Sequence, residues 1–232
     1  MNLKDKVGSV KERIAEAQQW SGNKTPVKIV AITKTHPASI ISDVRDVGLD
    51  TIGENRIQEA EEKFSEIADI LPNITKRLVG HLQSNKINKA LNLFDTIDSV
   101  DSLKLASKIG NKAESLKRTI PILLEVNTSG EDEKFGFKPN NIDEILACFE
   151  IEGIELQGLM TVGPLTLDIY RIREAFISLR KMHDTIKTQI TYNTKKFTEL
   201  SMGMSGDFEI AVEEGATMVR LGTALFGHRT TK

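Results

Sequence analysis

Eight short apolar runs alternate with stretches of helical periodicity along almost the whole chain, and that alternation restricts the fold more than any other feature. The strand-like runs are VKIVAIT, LDTIG, KRLVGHL, FDTIDSV, IPILLEVN, LQGLMTV, FTELSM and TMVRLGTALFG. Several are apolar at consecutive positions, the pattern of strands covered on both faces of a parallel sheet. Between them lie ASIISDVRDVG, NRIQEAEEKFSEIADIL, NKINKALNLF, SLKLASKIGNKAESLK, NIDEILACFEI, IYRIREAFISLRKMHDTIKTQI and DFEIAVEEGA, whose apolar residues recur at helical spacing. Parallel strands need a long crossover each, and eight such units in 232 residues match an α/β fold, a single (β/α)8 TIM barrel. A doubly wound open sheet is the rival, but the chain has neither G-x-G-x-x-G after its first strand nor a Walker loop. No linker, repeat or low-complexity tract divides it, so one domain over 1–232 is expected. Val7, Val10, Ile14 and Ala17 add an N-terminal helix over 1–21, packed on the barrel with Trp20 at its end.

Apolar residues make up 39% of the chain, enough for a full core. Its 31 basic and 33 acidic residues are interspersed, leaving a net charge of −2 and no basic face for nucleic acid. The single cysteine, Cys148, rules out an internal disulfide and fits a reducing compartment; in the run Ile145–Phe149 it reads as core packing. The charged N-terminus lacks a signal peptide's apolar centre, and no apolar run approaches the ~20 residues that cross a bilayer. A cytoplasmic protein without a membrane partner is expected. His36, His183 and His228 show no metal-ligand spacing. Ordinary amphipathic helix faces, with no large exposed apolar stripe, predict a monomer.

In a barrel, chemistry gathers where strands exit toward their helices. Almost every exit here is polar: Lys34, Glu54-Asn55, His81 to Asn85, Ser99 to Asp101, Asn127 to Ser129, Thr161, Ser201 to Ser205, and Gly222-Thr223. Lys34 ends an apolar strand. Desolvation there favours the neutral, nucleophilic amine, suited to an aldehyde; pairing with Glu54 or Asp101 is the equal alternative. The stretch SMGMSGDFEIAVEEG sets small residues and a hydroxyl just before a helix, and VRLGTALFG supplies a second small-residue turn. Barrels commonly bind phosphate with the loops after strands seven and eight, so Ser201, Gly222 and Thr223 form a candidate phosphate cradle. A ligand with an aldehyde at one end and a phosphate at the other fits both, and pyridoxal 5′-phosphate is such a ligand.

The stretches AITKTHP, GENRIQE, GHLQSNK, EVNTSGEDEKFGF, LQGLMTV and ELSMGMSGDFEIAVEEGATMVRLGTALFGHR, spanning positions 31 to 229, resemble the pyridoxal phosphate homeostasis proteins. These are barrels similar to the N-terminal domain of alanine racemase, the fold-type III PLP barrel. Departures are slight: Thr33 stands where serine is common before the lysine, and His81 where proline often follows the glycine. The resemblance implies that Lys34 carries the cofactor as an internal aldimine. It implies phosphate binding by Ser201, Gly222 and Thr223 with the Met202 backbone adjacent, Arg220 near the pyridine nitrogen, and Asn55 lining the pocket near the ring. His81 and Met204 become wall residues. For Arg220, an ion pair inside the barrel is the alternative.

What the resemblance implies about activity is storage more than catalysis. Arginine beside the pyridine nitrogen is a donor and disfavours its protonation, which leaves a weaker electron sink. Related racemases add a tyrosine base from a second domain; this chain ends just after strand eight, and its tyrosines, Tyr170 and Tyr192, flank the sixth crossover helix. The expectation is a non-enzymatic protein of intracellular PLP homeostasis, with PLP-dependent apoenzymes as recipients. The alternatives are a PLP-dependent amino-acid racemase of low activity and an aldolase-type enzyme on phosphorylated sugars.

Overall fold

The computed structural model describes residues 1–68, 71–131, 134–190 and 195–227; Tyr192, His228, Asp132 and Glu133 lie outside the described residues. The chain opens with α1 (Leu3–Ser21), β1 (Lys28–Ile32), α2 (Ser39–Asp46), β2 (Thr51–Glu54) and α3 (Ile57–Glu66). It continues through β3 (Thr75–Leu78), α4 (Ile87–Leu93), β4 (Thr96–Val100), α5 (Leu103–Ser115), β5 (Ile120–Glu125) and α6 (Ile142–Ala147). The last elements are β6 (Ile154–Met160), α7 (Ile169–Gln189), β7 (Glu199–Met204), α8 (Phe208–Glu213), β8 (Met218–Leu221) and α9 (Thr223–Phe226).

The eight strands form a closed barrel in sequence order, every pair parallel. Closure comes from β1 against β8, where Lys28 to Ala31 lie opposite Met218 to Leu221. Consecutive apolar residues in the strands are explained by this geometry: one side chain packs inside the barrel and the next meets a helix. All five residues of β4 and all four of β8 are buried. The barrel ion pair is made by Arg77 and Asp98, Nε to Oδ2 at 2.7 Å, with Thr96 Oγ1 also donating to Asp98.

The N-terminal helix buries Val7, Val10, Ile14 and Ala17, the four residues its periodicity selects, against α8 and α9. Asn2 caps it by accepting the Asp5 N–H at 2.9 Å. Arg13 stacks over the Phe208 ring at 4.5 Å and pairs with Glu209. Trp20 departs from the expectation: it is 83% exposed, because the buried stripe ends at Ala17 and position 20 faces solvent. Cys148 is fully buried, and burial pushes its thiol up to about 12.

Two element boundaries also move. The run TMVRLGTALFG stops being a strand at Leu221, and its TALF segment forms α9. The run FTELSM continues as strand to Met204. The helix faces are amphipathic as expected, but Leu165, Leu167, Ile169 and Tyr170 are exposed in the connection from β6 into α7. Among the described residues, no helix is long and apolar enough to cross a membrane.

Candidate functional site

The strand exits surround one cavity of about 560 Å³ at the C-terminal mouth of the barrel. Lys34, Asn55, Arg220, Gly222 and Thr223 all line it, as do His81 and Met204. Residues nearly two hundred positions apart thus meet because every parallel strand delivers its C-terminal end to the same rim.

Lys34 is half-buried in the turn that follows β1. The two carboxylates weighed as its neighbours each contact another side chain. Glu54 accepts from Lys63 at 2.5 Å and from Thr33 Oγ1 at 2.7 Å, while Asp101 lies 3.0 Å from His81 Nδ1. Asn55 reaches the wall because Gly80 has no side chain: a Cβ there would sit 2.3 Å from the Asn55 carbonyl oxygen.

Arg220 comes from β8 and is buried beneath the cavity. Its Nη1 donates to the Ser201 carbonyl at 2.7 Å and the Ser201 hydroxyl at 2.8 Å, and its Nη2 to the Thr161 carbonyl at 2.6 Å. Among the described residues no carboxylate forms an ion pair with it. The alternative read from sequence, a barrel ion pair, is instead made by Arg77. Burial lowers the Arg220 pKa from its ordinary value, opposed by the charges of Asp98, Glu125 and Asp207.

Ser201 and Met202 do not line the cavity. Both are fully buried, and the Ser201 hydroxyl accepts from Arg220. The residues of this exit that reach the cavity are Met204, Ser205 and Gly206. Ser205 Oγ accepts the Gly222 N–H at 3.2 Å and the Ala224 N–H at 3.0 Å, tying the turn after β7 to the turn after β8. Asp207 closes the first turn by accepting the Met204 N–H at 2.5 Å. Gly203 permits it: φ is +91°, and a Cβ would lie 2.6 Å from the Ala211 Cβ.

Glu125 is the cavity residue that sequence reasoning passed over most plainly. It ends β5, lines the cavity, and has its pKa raised to about 7 by burial, with Arg220 opposing and Asp101 reinforcing the shift. A lone carboxylate in the apolar run IPILLEVN was the available signal. Ser205 also had one, since it stands directly before Gly206 and the start of α8. Phe135, 60% exposed, stacks on His81 with ring centroids 4.2 Å apart and forms part of the rim. Among the described residues no group of three His, Cys, Asp or Glu side chains is placed to hold a metal ion.

The arrangement offers an amine on one wall, hydroxyl and backbone donors of two linked turns on another, and a fixed guanidinium below. These residues fit an aldehyde-bearing phosphate ester.

The family model of the alanine racemase N-terminal domain matches residues 6–230. The pyridoxal phosphate homeostasis protein of Aquifex aeolicus (strain VF5) is 36% identical over 231 residues, 99% of each chain. An unknown protein from Bifidobacterium adolescentis superposes with a TM-score of 0.88 at 42% identity, covering 97% of this chain and 94% of that one. PipY of Synechococcus elongatus PCC7942, solved with PLP bound, gives a TM-score of 0.79 at 37% identity over 92% of this chain and 100% of its own.

Proposed function

The chain belongs to the pyridoxal phosphate homeostasis proteins, built on the alanine racemase N-terminal domain, and on that footing we propose that it holds and releases pyridoxal 5′-phosphate. Lys34 retains the cofactor covalently through its amine. The observation that carries this reading is the convergence of Lys34, Arg220 and the turns of Ser205, Gly222 and Thr223 on one cavity. The phosphate is held by the hydroxyls and backbone N–H groups of the two turns, with Ser201 and Met202 supporting them from beneath. Asn55 borders the ring, and Arg220 faces its nitrogen as a hydrogen-bond donor. Bound there, the cofactor supplies a reactive aldehyde and an electron-withdrawing ring; the protein's own contribution is to orient and retain it.

Storage is favoured over catalysis by the character of Arg220. A donor that keeps its proton leaves the pyridine nitrogen unprotonated, and the ring then stabilises a carbanion less well. PLP-dependent apoenzymes are the recipients under this reading, and the chain acts as a cytoplasmic monomer.

The test is spectroscopic. Addition of pyridoxal 5′-phosphate produces a visible absorbance band, which borohydride reduction fixes onto the peptide containing Lys34. A label on another lysine, or none, defeats the proposal. Incubation with L- or D-alanine, followed by chiral analysis, yields no turnover in the ordinary enzymatic range of ~1–1000 per second; turnover in that range would make the protein a racemase.

A further inference from the structure

The turn that carries Lys34 is conformationally unusual. Thr35 has φ +65°, a β-branched residue in the left-handed region, and only Lys117 shares a positive φ among the described non-glycine residues. Such backbone persists only where its surroundings impose it.

What imposes it is a set of charged groups from β2 and α3. The Thr35 N–H donates to Glu59 Oε1. On the other side of Lys34, the Thr33 carbonyl accepts from Lys63 Nζ at 2.8 Å, and the Thr33 hydroxyl donates to Glu54 Oε1 at 2.7 Å. Lys63 completes the set by contacting Glu54 Oε1 at 2.5 Å and Glu59 Oε1 at 3.2 Å. All three ammonium donors are therefore spent on one clamp, and both residues flanking Lys34 are tied to it.

The clamp is poorly explained as a source of stability. Lys63 is 4% exposed and Glu54 fully buried, so both charges lose their hydration. Glu54 Oε2 is buried and has no hydrogen-bond partner among the described residues. Burial raises the Glu54 pKa despite the opposing contacts with Lys63 and Thr33. A buried pair with an unsatisfied oxygen is commonly no more stabilising than apolar side chains of equal volume.

We propose that Lys63, Glu54 and Glu59 are positioning residues for Lys34: they hold the Thr33–Thr35 turn in its strained form and thereby aim the Lys34 amine into the cavity. The inference deepens the proposed cofactor site and rests on Lys34 being its reactive amine. Loss of the clamp relaxes the turn and misdirects the amine, while the phosphate cradle, built on β7 and β8, stays intact.

The test uses Lys63→Met and Glu59→Ala, with Glu59→Gln as the conservative variant that retains an oxygen acceptor. Glu59 is partly exposed, so its replacement disturbs the core less than Lys63→Met does. The disruptive variants load pyridoxal 5′-phosphate about ten- to a hundredfold more slowly, the scale set by misplacing a reacting group. Their affinity for pyridoxine 5′-phosphate, which has the ring and phosphate but no aldehyde, stays within about twofold of wild type. Glu59→Gln recovers most of the rate. Equal loading rates in all variants, or equal losses for both ligands, overturn the proposal. Competitive acetylation of the unliganded protein gives a readout that needs no cofactor. The pH profile of Lys34 labelling changes in the disruptive variants while that of exposed Lys11 does not, and an unchanged Lys34 profile also overturns it. Wild-type protein that fails to form the Lys34 adduct defeats the cofactor reading instead, and the acetylation result then decides the positioning role alone.

Discussion

Ser201 and Ser205 both carry a hydroxyl in the SMGMS segment, but the first is closed off beneath Arg220 and the second joins two turns at the cavity. Their alanine variants therefore separate the two roles. Ser205→Ala removes the acceptor of the Gly222 and Ala224 N–H groups along with a ligand-facing hydroxyl. It weakens pyridoxal 5′-phosphate binding by about 1–3 kcal/mol in an equilibrium titration. Ser201→Ala leaves Arg220 its two carbonyl partners and changes affinity less; the opposite order would return the phosphate to Ser201. Thr223→Val loses one donor and weakens retention by a similar increment without preventing attachment to Lys34. Lys34→Ala removes the attachment itself and leaves the thermal transition close to wild type, since its half-buried turn adds little to the core.

At the scale of elements, β7 and α7 show how local packing sets function and stability. Gly203 lets β7 turn toward α8, and Gly203→Ala meets both an unfavourable φ and the Ala211 methyl. The expected cost is about 2–4 kcal/mol in denaturant unfolding, together with displacement of Ser205. On α7, His183 is buried and stacked on Phe197 with centroids 4.7 Å apart, and burial lowers its pKa. Its lowered folded pKa means that protons bind the unfolded chain more tightly, so stability is present above the unfolded value near 6.5 and is lost as pH falls. His183→Phe keeps the stacking and removes that proton site. Melting temperatures of wild type and variant should diverge below about pH 6, with the variant higher; parallel curves would place the acid sensitivity elsewhere.

For the whole molecule, closure of the barrel gathers carboxylates into a partly dehydrated mouth, and this gives stability an alkaline limit. Glu125 has a folded pKa of about 7, above its ordinary 4.5. Its stabilising effect is complete below the unfolded value and is lost as pH rises through about 7. Glu125→Gln therefore flattens the decline of unfolding free energy between pH 5 and 8 by up to about 3 kcal/mol, less the screening at a half-exposed mouth. A decline unaltered by the substitution would exclude Glu125 as its source.

The same closure separates what was legible in the sequence from what was not. Strand and helix are written in the spacing of neighbouring residues, so the eight units, the buried stripe of α1 and the position of Lys34 at a strand end could all be read directly. Which of the two serines at that exit reaches the mouth could not, because FTELSM reads as ending at Met202 whereas β7 runs to Met204, with a register shift against β8 between Ser201 and Met204. Two residues of strand decide which serine reaches the rim, and hydrogen bonding to the neighbouring strands sets that length. Trp20 departs from its expected packing because a helix end is covered only if another element lies beside it. The sequence by itself determined the order of elements, the barrel and the amine at its mouth, since each follows from short-range periodicity and chain connectivity. Only the tertiary structure decided that Ser205 links the two turns, that Glu125 shares the cavity with Arg220, and that Lys63 grips the turn of Lys34. Those contacts join residues 17 to 95 positions apart, and no local preference encodes them; they exist because parallel strands bring their ends to one place.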